Sequence, residues 1–308
     1  MAVKPDFQAI LDRVNALPPI DFSRPPAELA AEMRAAPVNI PPLPNPVSVE
    51  VRKVKGGDGH LIPIRIYRPK TEQPHPVLIS MHGGGWVRGS LDGDEFRSHF
   101  IAHEAGCAVV SVDYRLAPDH RYPAALEDCY DVTEWVADQA QVLGFDAARM
   151  GVMGDSAGGN LAAAVALKAR DEGGPALSCQ VLLYPICDHD FNRPSYIENA
   201  QGKLLTRELM QWFWDQYADD ADRDQQYLSP LRAKDFSGLP PALIITAQYD
   251  PLRDEGELYA QKLLEAGNTV EALRMDGLIH PFQTLAVLHA DSIAAMQLMS
   301  RFASRQLV

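Results

Sequence analysis

Gly154-Asp155-Ser156-Ala157-Gly158 stands between two stretches of opposite character. Before it, Arg149-Met150-Gly151-Val152-Met153 is a short apolar run suited to a buried strand. After it, Asn160 to Arg170 is alanine-rich, built of strong helix formers, and closes on basic residues, which suit a helix C-terminus. The five residues between must therefore turn sharply from strand to helix. Glycines two before and two after the serine remove the Cβ atoms that would collide where the elements nearly touch. Ser156 is thus expected to hold strained backbone angles and to present its Oγ at the positive end of a helix. Two glycines and a serine at this spacing arise by chance in about one chain of this length in ten. The strand before and the helix after are what give the pattern meaning.

Outward from this turn, Pro76 to Met81, Cys107 to Asp113, Cys179 to Tyr184, Leu243 to Ala247 and Val270 to Met275 also read as strands. Helical patterns over Glu95 to Ala105, Leu126 to Ala140, Glu257 to Ala266 and Ser292 to Gln306 separate them. Strands alternating with helices imply an α/β protein with a mainly parallel, doubly wound sheet, whose ligand site lies beyond the carboxyl ends of its strands. Upstream, Val47 to Val54 and Leu61 to Tyr67 flank Lys55-Gly56-Gly57-Asp58-Gly59 and predict an antiparallel hairpin of two edge strands.

Two segments fall outside this alternation. Phe7, Ile10, Leu11, Val14 and Leu17 recur at helical spacing, which predicts an amphipathic helix over 5–17, and a Pro-rich connector follows, broken by a short helix near Ala27 to Ala36 and ending in Pro37 to Pro46. Residues 1–46 are an arm rather than a domain. Pro185 to Leu239 carries no strand signal, and its helix over Thr206 to Ala218 holds Leu209, Met210, Trp212, Phe213, Trp214 and Tyr217, too apolar and aromatic for a solvated surface. The expected organisation is a catalytic domain of residues 47–184 and 240–308, with 1–46 and 185–239 building a helical cap. Ordinary packing of those aromatics on the sheet is the competing reading.

With 308 residues and 46 % apolar content the chain supports one large domain, and its formal charge of -13 opposes a nucleic-acid partner. Cys107, Cys129, Cys179 and Cys187 lack metal or redox spacing and suit a reducing compartment, so a cytoplasmic location is expected. No stretch approaches a membrane span, and no export signal is read at the N-terminus. Neither a cofactor nor a metal is expected. Gly83-x-Gly85 has Arg88 where a dinucleotide loop needs its third glycine, no Gly-Lys-Ser/Thr follows, and Cys107 stands where a zincin pattern after His103-Glu104 needs histidine. His99 and His103, a helical turn apart, find no third ligand nearby.

Acyl transfer at a serine needs a general base, a carboxylate to orient it, and donors for the oxyanion. Asp250 follows the strand Leu243 to Ala247, and His280 follows the next strand, in Gly277-Leu278-Ile279-His280-Pro281-Phe282. The order Ser, Asp, His, each after its own strand, is that of an α/β-hydrolase. Asp254 and Asp276 are rival acids and His289 a rival base. The run His82-Gly83-Gly84-Gly85-Trp86 lets main-chain N–H groups turn toward the serine, joined by the N–H of Ala157. Trp86, Phe191, Trp212, Phe213 and Trp214 are candidates for an apolar acyl pocket.

Several long motifs in fixed order resemble the bacterial hormone-sensitive-lipase-like (family IV) carboxylesterases. They are His82 to Trp86, Asp113-Tyr114-Arg115-Leu116-Ala117-Pro118, Pro123 to Asp128, Gly154 to Asn160, and Tyr249-Asp250-Pro251-Leu252-Arg253-Asp254. The resemblance implies an α/β-hydrolase fold and hydrolysis of small-molecule esters with short to medium acyl chains. It implies Ser156 as nucleophile, Asp250 as orienting acid and His280 as base. It favours Gly84, Gly85 and Ala157 as oxyanion donors, with His82 and Gly83 supporting the loop, and it is compatible with a homodimer. Pro281 departs from the family, which usually has glycine there.

Overall fold

The computed structural model describes residues 2–43 and 47–307. The helices α1 (Pro5–Asn15) and α2 (Pro26–Arg34) precede the hairpin β1 (Ser48–Lys55) and β2 (Leu61–Arg68). Of the proline-rich connector, positions 44–46 lie outside the described residues. Then follow β3 (His75–Met81), α3 (Leu91–Ala105), β4 (Ala108–Val112), α4 (Ala124–Asp138), α5 (Ala140–Leu143), β5 (Phe145–Asp155), α6 (Ala157–Glu172) and β6 (Cys179–Leu183). The chain continues through α7 (Pro194–Glu198), α8 (Arg207–Tyr217), β7 (Ala242–Tyr249), α9 (Arg253–Glu265), β8 (Val270–Ile279), α10 (Phe282–Leu285) and α11 (Ala290–Gln306).

Among the described residues the strands form one eight-stranded sheet in the order β1-β2-β4-β3-β5-β6-β7-β8. β1 pairs β2, and β2 pairs β4, antiparallel; every later pairing is parallel. This is an α/β-hydrolase fold. Side chains alternate across the sheet, as strand geometry requires. Val77, Ile79, Val110, Val152 and Ile244 face a core shared with α4, α6 and α8, while Leu78, Val109, Met153, Val181 and Ile245 face a second core shared with α1, α3 and α11. Strands buried on both faces explain why their sequences are continuous apolar runs rather than alternating ones.

The hairpin departs from expectation in one respect. β1 is an edge strand, with Val49 and Val51 exposed, but β2 is interior, paired to β4 through Ile64–Val112, Arg65–Ser111, Ile66–Val110 and Tyr67–Val109. Pro63 suggests an edge because proline cannot donate to a ladder. It sits where pairing with β4 ends: its carbonyl accepts the N–H of Asp113 at 3.0 Å, and because N–H and C=O of one residue face the same neighbour, the missing N–H costs only the return bond of that terminal pair and none to β1. The helix expected from Glu95 begins four residues earlier, where the Ser90 hydroxyl accepts the Gly93 N–H at 3.3 Å. No helix of the described residues is long and apolar enough to cross a membrane.

Candidate active site

β5 delivers Ser156 and α6 begins at the next residue. Ser156 has φ 55° and ψ -119°, a conformation that costs on the order of 1–3 kcal/mol and persists only where surrounding contacts enforce it. Here the main chain enforces it. The Ser156 N–H donates to the Leu183 carbonyl at 2.9 Å, and its carbonyl accepts from Asn160 at 3.0 Å and Ile186 at 3.2 Å. A Cβ on Gly154 would overlap the Gly158 carbonyl, and one on Gly158 would overlap the Met81 carbonyl. Strand, turn and helix therefore meet backbone to backbone.

The ends of β7 and β8 bring the other two side chains. Ser156 Oγ lies 3.1 Å from His280 Nε2, and His280 Nδ1 lies 2.9 Å from Asp250 Oδ2. All three are buried, Asp250 completely. Asp250 Oδ1 accepts the Leu252 N–H at 2.8 Å, which fixes the carboxylate, and Tyr184 stands edge-on to the imidazole with centroids 4.6 Å apart. With Nδ1 turned to the carboxylate, Nε2 is left free to accept the serine proton. Pro281 does not displace the ring from this row. The rivals are elsewhere: Asp254 lies in the first turn of α9 and accepts the Ser195 N–H at 2.7 Å, Asp276 is exposed, and His289 caps α11.

The glycine loop after β3 faces the serine. The Gly83 N–H is engaged by Asp155 Oδ1 at 2.8 Å, whereas the N–H groups of Gly84 and Gly85 donate to no protein group among the described residues. Ala157 is the first residue of α6, so its N–H has no intrahelical acceptor. Gly84 (φ 128°) lies against the Arg88 carbonyl and Gly85 (φ 62°) against the ring of Phe213, and a side chain at either would overlap them. His82 stacks on Tyr114 with centroids 4.3 Å apart, and the Tyr114 hydroxyl donates to the His82 carbonyl at 2.6 Å.

A buried charge network that sequence reading missed supports this loop. Asp155 also accepts from Arg97 Nη1 at 2.6 Å, and Asp94 flanks the same guanidinium while accepting from the hydroxyls of Ser80 and Ser98 at 2.7 Å and Ser111 at 3.1 Å. Burial works to discharge Arg97, but the two carboxylates outweigh it and hold its pKa above the ordinary value. The available signal was Asp155 itself, the variable position of the serine pentapeptide, since a carboxylate there must find a cation once buried.

A cavity of about 460 Å³ opens over the serine, a size suited to a small organic ligand. His82, Gly83, Gly84, Gly85, Ser156 and His280 line its floor. Val14, Ile20 and Met33 line it from the N-terminal arm, and Leu205, Leu209 and Phe213 from the segment after β6. Of the expected pocket aromatics only Phe213 reaches it. Trp86 stacks on Tyr217 and meets Trp214 edge-on at 5.0 Å inside the core. Trp212 turns toward Phe22, and Phe191 toward Tyr196. For Trp212 and Trp214 the reason lies in α8: a helix carrying aromatics on consecutive residues can aim only some of them one way.

The family model described as alpha/beta hydrolase fold matches residues 78–284. The chain belongs to this family. Its relatives place it in the hormone-sensitive-lipase-like (family IV) esterase branch. It is 39 % identical over 295 residues to carboxylesterase NlhH of Mycobacterium tuberculosis, covering 92 % of this chain and 91 % of that one. It is 37 % identical over 303 residues to ethyl acetate hydrolase of Pseudomonas putida, covering 92 % and 93 %. Among solved structures, the hyperthermophilic esterase of Pyrobaculum calidifontis superposes with a TM-score of 0.89 at 36 % identity, over 100 % of both chains.

Proposed function

We propose that this family IV enzyme hydrolyses carboxylic esters with short to medium acyl chains through a serine acyl-enzyme. The observation that carries the reading is the hydrogen-bonded row from Ser156 through His280 to Asp250, buried on the floor of a cavity beside unengaged main-chain N–H groups. Ser156 Oγ attacks the ester carbonyl as His280 Nε2 takes its proton. Asp250 holds the imidazolium that forms, and the N–H groups of Gly84, Gly85 and Ala157 bind the oxyanion. The alkoxide leaves with the proton from His280. Water, deprotonated in turn by His280, then releases the acid and restores Ser156.

The arm of residues 1–46 and the insertion 185–239 act as the cap, since both supply apolar wall to the cavity. A cavity of this volume, together with the ethyl acetate hydrolase activity for which the Pseudomonas putida relative is named, favours small esters. The four free, buried cysteines support a reducing, cytoplasmic setting.

The test is turnover of p-nitrophenyl esters from acetate to hexadecanoate by the wild type and by Ser156→Ala. The variant is expected to lose on the order of 10⁴ to 10⁶ in turnover, and an organophosphate should label Ser156 of the wild type alone. Near-native hydrolysis by the variant would exclude Ser156 as nucleophile, and a rate maximum beyond dodecanoate would exclude the small-ester assignment.

A further inference from the structure

Arg34, Arg88, Asp94 and Asp155 all line the cavity, and three of them are spent on protein partners. Arg34 donates to the carbonyls of Val87 at 2.7 Å and Ala117 at 2.6 Å and to the Asp119 carboxylate at 2.6 Å. Asp94 and Asp155 share Arg97 and the hydroxyl and amide donors described above. The side chain of Arg88 makes no hydrogen bond or ion pair with any described residue.

The position of Arg88 is well defined all the same. Its N–H bonds the Gly84 carbonyl at 3.1 Å, and its Cγ lies where it would sit 3.1 Å from a Cβ on Gly84, so the side chain starts directly beside the oxyanion loop. Its surface area is that of an exposed residue, yet surrounding protein desolvates the guanidinium enough to lower its pKa. Part of the surface it shows lines the cavity. Arginine stays charged at any working pH, and a cation partly withdrawn from water without a counter-charge is an uncompensated cost. A ligand carboxylate removes that cost, since the guanidinium fork matches it with two parallel N–H···O bonds. The rest of the wall, including Val14, Ile20, Met33 and Leu209, suits the hydrocarbon that would separate such a carboxylate from the ester.

We propose that Arg88 is an anion-recognition subsite, and that the preferred substrates are esters bearing a carboxylate at the end remote from the scissile carbonyl. The inference rests on reading this cavity as the ester site. It concerns the substrate class and leaves the hydrolytic steps as described.

The experiment compares monomethyl succinate, glutarate and adipate with methyl butyrate, valerate and hexanoate by pH-stat titration. The pair 4-carboxyphenyl butyrate and phenyl butyrate tests the alcohol side. For the side that Arg88 reads, the ratio of kcat/KM for the carboxylated ester over its neutral match is expected to fall about tenfold or more in Arg88→Leu and in Arg88→Gln, as loss of a charge-assisted bond predicts. Arg88→Lys should retain part of it, and added salt should shrink the wild-type ratio. Calorimetry gives a readout free of turnover: Ser156→Ala should bind the preferred carboxylated ester, and Ser156→Ala/Arg88→Leu should not. Ratios unchanged within about twofold on both sides, or equal binding by the two serine variants, overturn the proposal while neutral-ester turnover leaves the esterase reading intact. Failure to turn over any ester sinks that reading instead, and the binding comparison still decides the role of Arg88.

Discussion

Ser156, Asp250 and His280 come from the ends of three different strands, and they are held by contacts both near and far in sequence. The serine is fixed by carbonyl and amide partners in Leu183, Ile186 and Asn160, and the carboxylate by the Leu252 N–H. Asp250→Asn is expected to keep the fold but lower kcat about 10⁴-fold, because an amide in this place favours the wrong imidazole tautomer. Steady-state kinetics beside an unchanged circular dichroism spectrum checks this, and near-native turnover would return the acid role to Asp254 or Asp276. The serine, aspartate and histidine were legible because each residue type stood after a readable strand. Arg88 and Arg97 were not: a single arginine in a loop or a helix looks like solvated surface until the packing around it is known.

At the scale of the element, α8 divides its aromatic residues between the cavity and the core. Phe213→Ala should enlarge the cavity and move the acyl-chain optimum to longer esters, whereas Trp86→Ala should cost about 3–5 kcal/mol of stability, as truncation of a large buried side chain does. A chain-length series run alongside denaturant unfolding separates the two, and an optimum that stays put in Phe213→Ala would contradict its place in the wall. α9 carries a different prediction. Burial raises the pKa of Glu255 well above the ordinary carboxylate range, with the neighbouring Asp188 charge adding to the shift, although the Cys187 N–H donates to it at 2.9 Å. A raised native pKa means that the folded state holds a proton the unfolded state has released. Stability then declines as pH rises above the unfolded value near ~4.3, by at most about 1.4 kcal/mol per pH unit, until the native group also ionises. Glu255→Gln should flatten that decline in unfolding experiments run from pH 5 to 8, and parallel curves for the two proteins would exclude it.

Across the whole molecule, the N-terminal arm bridges the second core and the cavity. Phe7 and Leu11 of α1 are fully buried with residues of α3, α11 and the ends of β7 and β8, while Lys4 pairs with Asp291 at 2.7 Å and its N–H bonds the Gly277 carbonyl at 2.9 Å. Val14 and Ile20 then reach the cavity. Phe7→Ala is therefore expected to cost about 3–5 kcal/mol and also to loosen the cavity wall, seen as a lower unfolding midpoint together with increased binding of a hydrophobic dye. A lower midpoint with an unaltered substrate profile would separate the anchoring of α1 from the shape of the site. The α/β alternation, the sharp strand-to-helix turn at Ser156 and the order of the reactive residues were determined by local sequence, because period, propensity and glycine placement act over a few residues. The interior place of β2, the side each aromatic of α8 faces and the lack of a partner for the Arg88 side chain among the described residues were decided only by tertiary structure. Each depends on what lies across from it, and segments as far apart as Val14, Gly85 and Phe213 share one cavity only after the sheet has formed.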